Sequence, residues 1–278
     1  MHKNLSNQAV VHREKDGVEY IQFKKLLDYE GRLAHCFSTR ICKEEGIGNG
    51  EFNLRFDGCT SREAVVENYK KLCSVIDVDY RTLVFSKQVH EDVIRIVGRE
   101  NRGEGIVKSR PEEGCDGLVT STSNVALATL YADCVPMLFY DPIKNIAAMS
   151  HAGWRGTVKK IAAKTVEFMH EAYDCQTKDI IACIGPSIGP CCFEVDQSAA
   201  IEFKKAFEFW PEIIEVLPSG KSRINLWKTN QLELLEAGLD KENIQVSQLC
   251  TMCNSDIFFS YRSDKGQTGR MAAIMQLK

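Results

Sequence analysis

Val125-Ala126-Leu127-Ala128-Thr129-Leu130-Tyr131-Ala132-Asp133-Cys134-Val135-Pro136-Met137-Leu138-Phe139-Tyr140 is two apolar runs interrupted by an acid, a thiol and a proline. Val125 to Leu130 and Met137 to Tyr140 read as strands. Working outward, Thr82 to Phe85, Val93 to Val97, Gly117 to Thr120 and Ile146 to Met149 are further short strands. After Gly156 the period changes to that of an amphipathic helix, with Val158, Ile161, Ala162, Val166 and Met169 on one stripe. Thr60-Ser61-Arg62-Glu63 has a capping-box pattern and predicts a helix from there. Ile180 to Ile184, a helix capped by Asp196, a helix from Leu226 ending before Gly238, and strands Ile244 to Leu249 and Met271 to Leu277 complete the reading. The class is α/β or α+β, with layered sheets flanked by helices.

No repeat or linker marks an internal boundary, so residues 31–278 read as one domain. Residues 1–30 read as an N-terminal extension with a hairpin-like strand at Tyr20 to Phe23. The chain has 278 residues, 44% hydrophobic and 26% charged, which is enough to bury its own core. A formal charge of -3 argues against a nucleic acid or an anionic membrane as partner, and no protein partner is signalled. Small-molecule chemistry is the default. Met1 to Tyr20 contains no apolar core of signal-peptide length, and no later run would span a membrane, so the expected location is cytoplasmic. The twelve cysteines then read mostly as reduced, buried side chains.

Three segments depart from what a fold alone requires: Gln88-Val89-His90, Ala132-Asp133-Cys134 and Ser150-His151-Ala152-Gly153-Trp154-Arg155-Gly156. Each follows or ends a strand, where α/β folds collect functional side chains. His90, Cys134 and His151 form a three-ligand set for zinc that leaves one tetrahedral position open. Taken singly, each histidine is more often a satisfied polar strand end and Cys134 more often a small buried thiol, and their spacing matches no local zinc motif. Cys191-Cys192 and Cys250-Thr251-Met252-Cys253 read as core packing, since adjacent cysteines rarely chelate one zinc. Gly185-Pro186-Ser187-Ile188-Gly189-Pro190 is a rigid turn, either structural or a wall against a ligand. Arg40 and Arg262 each end an apolar run and offer fork-like donors to an anion.

These stretches resemble the YfiH-type laccase-domain family, also called polyphenol oxidase-like and described as purine nucleoside phosphorylases. The carriers are Phe37-Ser38-Thr39-Arg40, Asn53-Leu54, Gln88-Val89-His90, Asp116-Gly117, Ala132-Asp133-Cys134-Val135-Pro136 and His151-Ala152-Gly153-Trp154-Arg155-Gly156. Gly185-Pro186-Ser187-Ile188-Gly189, Cys192-Phe193-Glu194-Val195, Cys250-Thr251, Phe259-Ser260-Tyr261-Arg262 and Gly269-Arg270 continue the match. One departure is Ile41-Cys42-Lys43-Glu44-Glu45-Gly46, where the family has a Gly-Gly-Val-Ser-like turn.

The resemblance implies a four-layer sandwich and zinc held by His90, Cys134 and His151. It implies phosphorolysis of adenosine, inosine, guanosine and methylthioadenosine, together with adenosine deamination. Phosphate is expected at Arg40 and Arg262 with Asn53 nearby, and Asp133 or Glu194 is the candidate proton donor. The His-x-Glu and Pro-Cys-x-x-Cys deaminase signature is absent. Two rivals use other chemistry. A copper polyphenol oxidase would need more histidines than six, without a His-x-His pair, can supply to a multicopper cluster. A cysteine hydrolase or amidase, as in peptidoglycan editing, would use Cys134 as nucleophile and His151 as base.

Overall fold

The computed structural model describes residues 4–43, 52–58 and 60–278. Two six-stranded mixed sheets form its centre. The first runs Val10–Lys15, Val18–Phe23, Leu33–Cys42, Met271–Leu277, Ala126–Tyr131 and Leu83–Phe85 in spatial order. The second runs Ile244–Val246, Ile181–Ile184, Val135–Asp141, Ile146–Ala152, Gly117–Thr120 and Ile94–Ile96. A small sheet of Glu194–Val195, Ser222–Ile224 and Ile214–Val216 lies apart from them.

The alternation of side chains explains why the central strands look apolar throughout. In Ala126–Tyr131, Leu127 and Tyr131 enter one core, while Ala126 and Ala128 enter another. In Val135–Asp141, Leu138 and Tyr140 share the core of Leu127, whereas Met137 and Phe139 face Ile161, Val166 and Met169. Strands covered on both faces carry apolar residues at every position. The layers are therefore helix, sheet, sheet and helix: helix Arg62–Val75 covers the first sheet through Val65, Tyr69 and Leu72, and helices Ile161–Tyr173 and Leu226–Glu236 cover the second. No helix among the described residues is long and apolar enough to cross a membrane.

Several local expectations change. Residues 10–23 form a full antiparallel hairpin, and Val18–Phe23 goes on to pair with Leu33–Cys42. Val10, Ile21 and Phe23 are buried in the core between the sheets, so this hairpin supplies part of the main sheet. Ser61, one residue after Thr60, caps helix Arg62–Val75 by accepting from the Ala64 N–H at 3.2 Å. The helical stripe after Gly156 is split into Trp154–Val158 and Ile161–Tyr173, because Lys160 takes a left-handed φ of 62° between them. Asp196 precedes helix Gln197–Ala206 without a side-chain cap bond. In the departing turn, Ile41 and Cys42 end a strand, while Glu44 to Gly46 lie outside the described residues.

Candidate functional site

Strand register brings the site together. Strand Ile146–Ala152 lies between two antiparallel neighbours: Gly117 pairs with Ser150 on one side, and Val135 pairs with Ala152 on the other. Asp116 and Cys134, each one residue outside its strand, therefore flank His151, whose N–H donates to the Asp116 carbonyl at 2.7 Å. His90 arrives from the segment after Leu83–Phe85, at a left-handed φ of 63°. That strained backbone lets the N–H groups of Val89, His90 and Glu91 all donate to the Asp116 carboxylate, at 3.0, 3.1 and 2.9 Å. Gln88 is fixed too, exchanging two 2.8 Å bonds with the backbone of Leu130 as an extra rung on that strand.

The ligand-type atoms of His90, Cys134 and His151 all lie within 4.8 Å of one another, close enough to hold one metal ion. Asp116 Oδ1 lies 2.8 Å from His151 Nδ1, so that nitrogen carries the proton and Nε2 is left for a metal. Gly153 floors the group: a Cβ there would stand 3.0 Å from His90 Cδ2 and 3.2 Å from Cys134 Sγ. The charge balance suits a cation. Burial alone would raise the Cys134 thiol, but the imidazoles of His151 and His90 outweigh it and bring it down to about 6. Burial would likewise lower His151, yet the Cys134 thiolate and Asp116 raise it to about 9. Burial opposes ionisation of Asp116 as well, and the bonds from His151 and the Glu91 N–H still hold its carboxyl below the usual range.

His90, Cys134 and His151 line a pocket of about 630 Å³. Trp154, Phe193 and Tyr261 give it aromatic walls, and Arg55, Arg110, Arg155, Arg262 and Arg270 line it with positive charge. Among the described residues, no carboxylate forms an ion pair with Arg55 or Arg270. Burial first, and the Arg55 charge second, depress the Arg270 guanidinium. Asp57 and Asp133 line the same pocket but pair with neither guanidinium, so two cations that repel each other across it are the arrangement an anion would relieve.

The sequence-based candidates divide. His90, Cys134, His151, Asp133 and Arg262 line the pocket, and Arg40 and Asn53 do not. The Arg40 guanidinium stacks 4.5 Å from the Phe259 ring centre and donates to the Ser255 carbonyl at 2.9 Å, which turns it to support the 255–259 segment. Asn53 acts one step back, because its Oδ1 accepts from the N–H groups of both Arg55 and Arg270 at 3.0 Å. Asp133 has a left-handed φ of 83° and spends both oxygens on neighbours, accepting from the Thr251 hydroxyl at 2.6 Å and the Arg262 N–H at 2.7 Å. Glu194 lies on the small sheet, 3.2 Å from Lys221 Nζ, and does not line the pocket. Asp116, Arg55 and Arg270 escaped attention as site residues. Their signal was present, since Asp116-Gly117 and Gly269-Arg270 sit in family motifs and Asp116 is an acid directly preceding a buried strand.

The two cysteine pairs do not pack separately in the core. Parallel bridging between Ser187 and Cys250 joins their loops, and the four sulfurs of Cys191, Cys192, Cys250 and Cys253 fall within 4.8 Å of one another.

A family model described as "Multi-copper polyphenol oxidoreductase laccase" matches residues 34–278. The chain belongs to this laccase-like family. It is 35% identical over 216 residues to "Purine nucleoside phosphorylase YlmD" of Bacillus subtilis, covering 77% of each chain. Among solved structures, the laccase-like fold recurs in the Bacillus licheniformis "hypothetical protein YfiH" at a TM-score of 0.88 and 31% identity, covering 96% of this chain and 99% of that one. It recurs in YlmD from Geobacillus stearothermophilus at 0.85 and 31%, covering 96% and 98%.

Proposed function

We propose that this laccase-like protein is a purine nucleoside phosphorylase, and that its metal, held by His90, Cys134 and His151, is zinc. One juxtaposition carries the reading: a two-histidine, one-thiol donor set lies on the floor of the same pocket that holds the Arg55 and Arg270 pair. Aromatic walls suit a purine, unpaired cations suit phosphate, and the relatives' name couples the two. In phosphorolysis a phosphate oxygen forms a bond to C1′ of the sugar as the glycosidic bond breaks and its electron pair leaves on the purine. Arg55 and Arg270, with Arg262 at the rim, hold the anion in place of Arg40. Trp154, Phe193 and Tyr261 stack on or enclose the base, and Asp116 keeps His151 in one tautomer. When bound, zinc would supply Lewis-acid polarisation at the base end and an activated water for adenosine deamination as a second activity.

Copper of the multicopper type finds less support. His35 accepts from the Phe23 N–H, His12 pairs with Glu19 and His170 contacts the Cys175 carbonyl, so the other described histidines lie away from the site. The cysteine-hydrolase reading draws on one observation, the chain of Asp116, His151 and a Cys134 thiol lowered to about 6. A panel of adenosine, inosine, guanosine and methylthioadenosine, run with and without phosphate and with and without metal, separates the readings. Phosphate-dependent release of base and sugar 1-phosphate that needs metal supports phosphorolysis. Turnover by metal-free protein without phosphate would favour the hydrolase.

A further inference from the structure

We propose a second metal site, a tetrathiolate zinc centre formed by Cys191, Cys192, Cys250 and Cys253 on the outer wall of the pocket. Cys191 Sγ and Cys192 Sγ each lie 3.4 Å from Cys253 Sγ, and all four sulfurs are within 4.8 Å of one another. Zinc at about 2.3 Å from each of four sulfurs places them about 3.8 Å apart in a tetrahedron, so the observed cluster needs only small adjustments to close on an ion. A disulfide would need about 2.0 Å and would satisfy only two of the four.

The surroundings of Cys250 suit a bound thiolate. Cys250 Sγ accepts from the N–H groups of Gly189 at 3.2 Å and Cys253 at 3.5 Å. Those donors stabilise negative sulfur and come one from each of the two loops. Cys191 and Cys253 are exposed, which opens a path for the ion. Four soft ligands select zinc over magnesium or calcium. Binding replaces the thiol protons with Zn²⁺ and releases them to solvent, with no change of oxidation state. The loops so joined carry Ile188 and Phe193 of the pocket, and the Cys192 carbonyl faces Arg262 Nη1 at 3.5 Å. The centre would therefore brace the wall against which the substrate sits.

The test counts metal in full-length protein purified under reductant. Wild type should hold about two zinc per chain and Cys134→Ala about one, because only the pocket ligand is removed. Adding Cys250→Ser and Cys253→Ser to Cys134→Ala should abolish that remaining ion. Cobalt(II) titrated into Cys134→Ala, with all four cluster thiols intact, should give the intense visible bands and sulfur charge-transfer absorption of tetrahedral thiolate. This second measurement does not depend on a cysteine variant of the cluster folding. Zinc-free Cys134→Ala without those cobalt bands would overturn the proposal, as would a Cys191–Cys253 or Cys192–Cys253 disulfide in the reduced-purified protein.

Discussion

Asp116 ties together both histidines of the candidate metal site: its Oδ1 lies 2.8 Å from His151 Nδ1 and 3.1 Å from the backbone nitrogen of His90. One buried carboxylate thus orients one histidine through its ring and places the other through its backbone. Each such charge-assisted bond contributes about 1.5–3 kcal/mol.

Asp116→Asn should therefore lower metal affinity by roughly 10–100-fold. Chelator-competition titration of zinc is the measurement, with Cys250→Ser and Cys253→Ser present in both proteins so that only this centre is read. Unchanged affinity would mean that the carboxylate serves the loop alone.

Cys134 in metal-free protein should alkylate with iodoacetamide at a rate that climbs through about pH 6, because its thiol is depressed by His151 and His90. The sign follows from the shift: an acid held below its ordinary value is already thiolate above pH 6, and loses that form as the pH falls through it. Bound zinc should slow the labelling at every pH. Peptide-resolved mass spectrometry distinguishes Cys134 from the exposed Cys191 and Cys253, and fast labelling with zinc bound would favour the nucleophile.

Arg55→Met or Arg270→Met should raise the Michaelis constant for phosphate about 10–100-fold, the loss of one bond of about 1.5–3 kcal/mol, with a smaller effect on the nucleoside. Arg40→Met should leave both constants near wild type and lower the melting temperature, since its guanidinium packs on Phe259 and Ser255. Steady-state kinetics with phosphate as the varied substrate decides between the two assignments.

Glu233 is buried in helix Leu226–Glu236, and neither carboxylate oxygen has a hydrogen-bond partner. Burial holds its acid well above the ordinary value. The folded protein keeps a proton that the unfolded chain has released above about pH 4.5, so stability falls as the pH rises from there until the folded acid itself ionises. Glu233→Gln should remove up to about 1.4 kcal/mol of that loss per pH unit and melt higher at pH 8. Parallel melts of both proteins between pH 5 and pH 8 check the slope.

The strands were legible because two-sided burial writes an unmistakable run: Ala126–Tyr131, Val135–Asp141 and Met271–Leu277 were all visible as apolar segments. The three candidate ligands stood out because each interrupts such a run or ends it, and the family resemblance joined them into one set. Arg40 shows the limit of that signal. An arginine ending a strand has the same sequence signature whether its guanidinium faces a pocket or a phenylalanine, and only the Phe259 ring decides which.

By itself the sequence determined the family, the layered class and the positions of its main strands, since these follow from local composition and order, and the family's motifs named His90, Cys134 and His151 as candidate ligands. Tertiary structure alone decided that Asp116 serves two histidines, that Arg55 and Arg270 face one cavity, and that Cys191-Cys192 meets Cys250 and Cys253. The physical reason is range. Periodicity is set by the nearest turns of chain, whereas pairing Gly117 with Ser150 and Ser187 with Cys250 depends on how whole sheets and loops close over a shared core.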